Sequence, residues 1–444
     1  MYSTHTHLFR ISRVLLFFIS AASYAQEASS DSLLSTATLD NVIGYALEHQ
    51  PLVKQAIIDE EITHQIIKGK LADWYPQINF AFNYNRYIDL QSSVIGGSVI
   101  RFGVDNTSSA QFNATQNIFN RDVLLASSTA SKVRIFADHN TSRSKIDVVV
   151  SVTKAFYDLL ATQQQIQVTK ESIIRLERSS HDAQSRYETG VSDKTDYKRA
   201  TILLGNARAN LKTNTELLKV KEQYLKSLMG YPAEHDLPIQ YDTLQMENEI
   251  GLDTLQTFNV VNHIEYKMLF IQRELQDANV KHSQWAYLPT LTLFGNYNLN
   301  YQNNNLDELF RTQYPYSYIG ATLALPIFQG GKRNAKIREQ KWTRNRIDEG
   351  LVNLENTLRT EYTRALASYK SNLAQYLAQK ENVALAREVY DIIQLQYQNG
   401  IKAYLDVTVA ETDLQTTRIN YFNALYQVLA SKIDVQRALG QINY

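Results

Sequence analysis

The chain has 444 residues, of which 44% are hydrophobic, and its 45 basic residues balance its 45 acidic residues. A balanced charge provides no long-range attraction to nucleic acid, so the composition argues against a DNA- or RNA-binding protein. Cysteine is absent, which excludes disulfides, thiolate metal sites, cysteine nucleophiles and lipid attachment at a cysteine.

Residues 1–25 have the features of a secretory signal peptide. Two arginines, an apolar run and two small residues stand in the order typical of such a signal: Arg10, Arg13, Val14 to Ile19, Ser23 and Ala25. The apolar run is too short to span a bilayer. We therefore expect export, with a mature chain that starts near Gln26 and has no membrane-spanning helix.

Stretches without proline predict very long helices. Proline breaks helix interiors, and residues 121–188 contain neither proline nor glycine, while residues 332–398 contain only Gly350. A helix of 68 residues would span roughly 100 Å. Two shorter helical segments, roughly 38–74 and 192–229, have about half that length. We expect two short helices, stacked end to end, to flank each long antiparallel partner.

Apolar residues in these segments recur at coiled-coil spacing. One set is Val152, Phe156, Leu159, Ile166 and Ile173, and another is Leu414, Tyr421, Leu425, Val428 and Val435. Polar Gln163 and Lys170 interrupt the first set. Such a diluted stripe indicates helices that pack on one another and also face water.

Between the helical segments, apolar and polar residues alternate with a period of two, which is the pattern of a β-strand. Two β-hairpins are expected, at about 77–119 and 290–328, each with an aliphatic and aromatic face opposite a face of Asn, Gln and Thr. The loops within them, roughly 88–107 and 303–315, are polar. The strands have the length of tilted transmembrane strands, although a soluble sheet shows the same alternation. Because four strands cannot close a barrel and open edges cannot face lipid, a barrel would require several copies of the chain.

The chain carries the same landmarks twice. Glycines recur 210 positions apart and prolines before an Asn-Tyr-Asn sequence recur 213 positions apart: Gly190 and Gly400, Gly230 and Gly440, Pro76 and Pro289. Repetition in one order and at nearly one spacing indicates duplication. We therefore divide the mature chain into a first repeat, 26–240, and a second repeat, 241–444.

No constellation of catalytic or metal-binding residues is evident. The histidines are scattered, without the spacing of a zinc site. Gly330-Gly331-Lys332 lacks the upstream glycine of a phosphate-binding loop. We therefore expect a protein that is not an enzyme and that uses no cofactor and no metal.

The chain resembles the TolC-like outer-membrane efflux protein family. The motifs that carry the resemblance are Tyr397 to Val407, which is similar to the family's YxxGxxxYLDV turn, Leu288 to Leu291, Leu325 to Phe328, and Ala438 to Gly440. Together they cover essentially all of residues 35–441.

This resemblance implies the fold and the function. The expected fold is mainly α with β: a duplicated chain of long coiled-coil helices and four transmembrane strands, which trimerises into a twelve-stranded barrel in the outer membrane, continued by a helical barrel in the periplasm. The implied function is the passive exit duct of a tripartite efflux or type I secretion system. The chain would form a homotrimer in contact with outer-membrane lipid. Its partners would be a periplasmic adaptor (membrane fusion) protein and an inner-membrane transporter, with no nucleic acid.

The resemblance also implies a gate at the periplasmic tip. Gly190 and Gly400 would form the helix-tip turns, and a polar latch would join Tyr397 and Lys402 to Thr195 and Asp196. The family commonly has arginine where this chain has Lys402, and lysine lacks the fork that grips a carboxylate with two bonds, so a looser latch is expected.

A further acidic residue belongs to the same region. Asp406 would contribute an entrance carboxylate that favours cations. Asp196 and Asp406 also suit a plainer role, as acidic residues in the first turn of a helix that complement the helix dipole.

Another class of protein remains open at this point. A periplasmic coiled-coil adaptor or scaffold without a pore would account for the helices equally well, although it does not explain four alternating strands paired with two helical hairpins. The sequence does not name the transported substrate.

Overall fold

A computed structural model describes residues 33–241 and 243–444, without the side chains of 243–245. The predicted signal peptide, 1–25, lies outside the described residues. The helices are α1 (Leu39–His49), α2 (Pro51–Ala72), α3 (Arg121–Glu188), α4 (Lys194–Met229), α5 (Thr243–Glu249), α6 (Ile264–Gln284), α7 (Lys332–Gln398) and α8 (Tyr404–Ala438). The two long helices, α3 and α7, therefore have the bounds that the proline pattern predicts.

The prediction of one helical segment over 38–74 is wrong in one respect. The chain leaves the helical conformation at Gln50, where the backbone is extended with ψ of 123°, and α2 starts at Pro51. The ring of a proline disfavours helical geometry in the residue before it and suits the first position of a new helix. Gln50 therefore separates α1 from α2.

Four long strands form one antiparallel sheet in the order β1, β4, β5, β6. They are β1 (Gln77–Arg86), β4 (Asn106–Phe119), β5 (Thr290–Asn303) and β6 (Gln313–Ala324). A separate small hairpin, β2 (Ser92–Ile95) with β3 (Ser98–Arg101), lies in the segment that we predicted as a loop. Gly96 and Gly97 both have positive φ at its turn, a conformation that glycine adopts without strain.

The register gives the sheet two different faces. Phe80, Phe112 and Tyr297 are aligned across neighbouring strands on one face, and Asn79, Asn113 and Asn296 are aligned on the other. The alternation predicted from the sequence is therefore present. Within the described residues, β1 and β6 each have one edge without a partner strand.

The helices form a row with α3 near its centre. In the half next to the sheet, α3 packs against α2 and α6, and α7 packs against α6. In the other half, α3 packs against α4 and α8, and α7 packs against α8. The row is therefore α2, α3, α6, α7 near the sheet and α4, α3, α8, α7 near the tips. Most of the buried helix residues lie on α3 and α8, whereas α4 and α7 keep largely exposed faces.

Helices α4 and α8 both end at a glycine that packs closely against the backbone of another segment, and we call these two contacts the joints. Gly230 follows α4 and Gly440 follows α8, both with φ of 68°. A Cβ atom on Gly230 would lie 2.7 Å from the His49 carbonyl oxygen, and one on Gly440 would lie 2.8 Å from that of Asn262. Only glycine fits either position, because it has no Cβ and tolerates positive φ.

A side chain completes each joint. The Gln50 amide donates to the Leu228 carbonyl at 2.8 Å, and the His263 ring nitrogen Nε2 lies 2.8 Å from the Ala438 carbonyl oxygen. Burial lowers the pKa of His263, so the neutral ring donates this hydrogen bond. The duplication thus extends to individual hydrogen bonds.

Candidate functional site at the helix tips

The two tip turns have the same construction. Gly190 and Gly400 have φ of 73° and 75°. The residue after each glycine donates its N–H to a carbonyl five positions earlier: Val191 to Arg186 at 2.8 Å, and Ile401 to Gln396 at 2.9 Å. This bond and the left-handed glycine are the features of a Schellman helix end. Each long helix therefore stops at its glycine and the chain reverses into α4 or α8.

An aromatic cluster joins the α3–α4 hairpin to the α7–α8 hairpin just behind the turns. Tyr397, Tyr404 and Val407 are buried against Ala183 and Ala200. The rings of Tyr397 and Tyr404 meet edge to face, with centroids 5.7 Å apart. Residues from both repeats thus share one small core at the tip.

Tyr397 has an unusual environment within this cluster. The Arg186 guanidinium lies over its ring, 4.6 Å from the centroid, at the distance of a cation–π interaction. Burial raises the pKa of the Tyr397 hydroxyl. That hydroxyl is buried without a hydrogen-bond partner in the described part of the chain, and a buried polar group without a partner is costly.

The remaining predicted latch residues form local contacts. Thr195 donates its N–H and its hydroxyl to Asp193 at 2.8 and 3.0 Å, and Asp196 accepts a hydrogen bond from Ser192 at 3.0 Å. Lys402 is exposed. The structure therefore brings Tyr397 to the neighbouring hairpin, but in the described part of the chain neither Tyr397 nor Lys402 forms a hydrogen bond with Thr195 or Asp196.

Asp406 lies in the first turn of α8 and accepts the Ala403 N–H at 3.2 Å. Asp406 therefore has the plainer of its two predicted roles, that of an acidic residue in the first turn of a helix. The bond fixes the carboxylate at the tip end of α8. An additional role in lining an entrance stays a prediction.

The sequence analysis missed a buried ion pair behind the tip. Glu411 of α8 is 5% exposed and accepts two hydrogen bonds from Arg175 of α3, at 2.7 and 2.9 Å. Ser172 donates a third at 2.6 Å. The guanidinium also lies over the ring of Tyr390 on α7, with the Arg175 Cζ atom 5.7 Å from the ring centroid. The available signal was an acidic residue three positions before Leu414, inside the apolar spacing of α8.

Over 33–241 and 243–444, no cluster of three or more His, Cys, Asp or Glu side chains could hold a metal ion. In the same ranges, no helix combines the length and the hydropathy needed to cross a membrane.

The sequence model of the family described as outer membrane efflux protein matches residues 42–231 and 268–441. The first matched segment lies within residues 26–240 and the second within residues 241–444. The chain is 20% identical over 437 residues to the outer membrane protein TolC of Vibrio cholerae serotype O1, which is 97% of this chain and 96% of that protein.

Solved structures have the same fold. The outer membrane protein VceC of Vibrio cholerae aligns with a TM-score of 0.72 and 16% identity, over 90% of this chain and 96% of that one. The outer membrane channel CmeC of Campylobacter jejuni aligns with a TM-score of 0.73 and 17% identity, over 91% of this chain and 85% of that one.

Proposed function

The chain belongs to the outer membrane efflux protein family, and from this membership we propose that three copies assemble into a channel-tunnel that is the passive exit duct of an efflux or secretion system. Membership makes the protein an outer-membrane efflux channel. It also decides against a periplasmic coiled-coil scaffold without a pore, because this is a family of channels rather than of adaptors or enzymes.

The observation that carries the trimer proposal is that both layers of the protomer are open on the same two sides. In the sheet, the unpaired edges belong to β1 and β6. In the helical layer, the outer positions belong to α2 and α4 on one side and to α7 on the other. Since α2 leads into β1 and β6 leads into α7, one neighbouring protomer would cover a sheet edge and a helix edge together.

The helix edges carry exposed aliphatic side chains that such a contact would bury. On α2 and α4 they are Leu52, Ile57, Ile58, Ile62, Ile66, Ile202 and Val220, and on α7 they are Val352, Leu377, Leu385, Val389, Ile392 and Leu395. Apolar rows of this kind on a protein's surface are typical of interaction sites. Ring closure would remove the open edges of both layers.

The sheet has the chemistry of a barrel wall. On the face that contains Phe80, exposed apolar side chains such as Ile78, Phe82 and Ile319 suit contact with lipid. The opposite face of Asn, Gln, Thr and Tyr suits a water-filled lumen. Three sheets of four strands would supply the twelve strands of one closed barrel.

We further propose that the tip is the periplasmic entrance. Thr195, Asp196, Tyr397 and Lys402 would latch it, through contacts that form in the assembled ring. Asp406 would present its carboxylate near the opening. A periplasmic adaptor would join this end to an inner-membrane transporter.

The assembly is tested by the mass of the protein purified from outer membranes in detergent. Mass photometry or light scattering with detergent correction should give three chains, and the assembly should insert into lipid bilayers and carry ion current. A particle of one chain, or a trimer that carries no current, would contradict the proposal.

A further inference from the structure

The second hairpin places a row of aromatic rings on the asparagine face of the sheet. Tyr314, Tyr316 and Tyr318 alternate along β6 and are each about half exposed. The rings of Tyr316 and Tyr318 are nearly parallel, with centroids 6.2 Å apart. Phe294 of β5 meets Tyr318 edge to face, with centroids 6.0 Å apart. We call these four residues the aromatic column. It extends over about 20 Å of the sheet, at the rise of a β-strand.

Carboxamide side chains lie beside the column on the neighbouring strand. Each tyrosine is opposite an asparagine of β5, and from Tyr314 onwards these are Asn300, Asn298 and Asn296. The Asn298 amide donates to the Tyr316 hydroxyl at 2.9 Å. A carboxamide both donates and accepts hydrogen bonds. The rings are therefore accompanied along their length by groups that can bond to a hydroxyl.

A second row of carboxamides would stand on the other side of the column in a closed barrel. There, β6 would be followed by β1 of the next protomer. On the asparagine face, β1 carries Asn79, Asn83 and Asn85. The tyrosines would thus lie in a shallow aromatic strip between two polar rows.

This face of the sheet carries no charge in the four long strands that the structure describes. Arg86 is the one charged residue of those strands, and the register places it on the face of Phe80. The hydrogen-bond donors and acceptors that line a pore, together with its charges, decide which solutes it favours. A lumen lined in this way selects by ring contacts and hydrogen bonds rather than by charge.

The first repeat has no such column in its described strands. Strands β4 and β6 are equivalent at a shift of 209 positions, which aligns the Ile-Phe pair at 118–119 with the pair at 327–328. The counterparts of the last two tyrosines are Thr107 and Ser109, on the same asparagine face. Small polar side chains already suit a water-filled lumen, and the aromatic girdles of a barrel face lipid. The tyrosines therefore add a surface that neither requirement explains.

We propose that the aromatic column is a binding site for uncharged oligosaccharides in the barrel lumen. The inference rests on the proposed channel function, because the column faces a lumen only in the closed barrel. A sugar ring has an apolar C–H face, which packs on an aromatic ring, and a rim of hydroxyls, which need donors and acceptors. Tyrosine and asparagine side chains supply both. The length of the column suits a linear chain of sugars, which contacts several rings at once.

The probe is maltohexaose, an uncharged linear chain of glucose units. Ion current through the trimer is recorded in planar bilayers while its concentration is raised, and it should interrupt the current. Polyethylene glycol of the same hydrodynamic size is the control, because it fills the lumen but has neither sugar rings nor a rim of hydroxyls. Maltohexaose should reduce the current at much lower concentration than the polymer.

The variant that tests the column is Tyr316→Thr combined with Tyr318→Ser, which introduces the residues of the first repeat and keeps the face polar. The loss of two ring contacts should raise the maltohexaose concentration for half block by about tenfold. The matched control is Tyr297→Thr, because Tyr297 is equally exposed but lies on the face of Phe80. It should leave the block unchanged. Tyr316→Phe keeps the ring and should retain most of the block.

Two results would overturn the inference. One is a conducting trimer that maltohexaose blocks no more than the polymer does, and the other is a block that the double variant does not weaken. If the double variant does not assemble, Tyr318→Ser alone gives the same comparison, with a smaller shift expected. Failure of the proposed function is a different outcome, because the unmodified protein would then form no trimer or carry no current.

Discussion

The joints at Gly230 and Gly440 and the contact between α3 and α8 behind the tips differ in how well the duplication is preserved. At the joints, Gly230 and Gly440 meet backbone carbonyls at 2.7 and 2.8 Å, and Gln50 and His263 bond to equivalent carbonyls. Behind the tips, by contrast, the shift of 210 positions gives Leu385 and Thr201 as the counterparts of Arg175 and Glu411. The repeats therefore agree where the chain must turn and diverge at the buried charge pair that joins α3 to α8.

The largest effect on stability is expected at the ion pair. Arg175→Met leaves the buried Glu411 carboxylate with Ser172 as its remaining donor, and removal of one partner of a buried pair costs about 3–5 kcal/mol. We expect a clear fall in the unfolding temperature of the protein purified in detergent. Lys154→Met is the control, because it removes the exposed pair of Lys154 and Asp434 between the same two helices, and it should cost less than about 1 kcal/mol. Equal losses in the two variants would contradict the distinction between buried and exposed ties.

The glycines at the joints should come next. Gly230→Ala and Gly440→Ala combine a strained positive φ with contact to a backbone oxygen under 3 Å, and each should destabilise the fold by about 2–4 kcal/mol. Gly190→Ala at the tip is a matched control, because its φ is 73° but its Cβ would enter open space. It should cost only about 1–2 kcal/mol, the strain of the left-handed conformation. Thermal unfolding in detergent compares the three variants, and an equal loss at Gly190 would show that the close approach is unimportant.

The joints also differ in one titratable group, which predicts a pH dependence of stability. His263 has a lowered pKa, so as the pH falls below the ordinary histidine value of 6.5 the unfolded chain takes up a proton that the folded chain resists. Stability contributed at neutral pH is therefore lost on acidification. His263→Gln introduces the residue that stands at the other joint, Gln50. It should reduce the loss of stability between pH 7 and pH 5.5 by about 1 kcal/mol, which is measured as a smaller difference in melting temperature between the two pH values. Gln50→His should increase it.

The smallest effect concerns a charge pair that the duplication does preserve. Glu171 and Arg418 bond within a protomer, and the 210-residue shift gives Glu381 and Arg208, which are both exposed. We predict that they pair between protomers. Arg208→Glu should weaken the trimer by about 0.5–1 kcal/mol for each contact between protomers, which lowers the temperature at which the trimer dissociates. The addition of Glu381→Arg should restore that temperature. Arg208 also bonds to Glu177 at 2.8 Å, so Glu177→Gln is the control for the loss of that pair alone.

Much of the fold was predictable because it depends on local signals. The bounds of α3 and α7 follow from the positions of Pro, Gly and the strands, and the left-handed turns at Gly190 and Gly400 follow from glycine after a long helix. Two local details were missed: the break at Gln50, which Pro51 causes, and the small β2–β3 hairpin, whose two glycines permit a tight turn.

The candidate site was less predictable, because it depends on contacts between distant segments. Glu411 and Arg175 are 236 positions apart, and no local pattern pairs them. The spacing around Gly190 and Gly400 placed Thr195, Asp196, Tyr397 and Lys402 near the tip. It did not show that Ser192 and Asp193 would occupy the hydrogen bonds of Asp196 and Thr195. Contacts between protomers require the assembled ring, so the latch stays a prediction.

The central claim, a duct whose entrance is held shut at the tip, is tested most directly by single-channel conductance in planar bilayers. Replacing Asp196 with alanine should raise the conductance, because it would remove a carboxylate of the proposed latch. Glu188→Ala, which removes an exposed carboxylate at the tip end of α3 outside the latch, should have a much smaller effect. A conductance that Asp196→Ala leaves unchanged, or a purified trimer that carries no current in either form, would contradict the account.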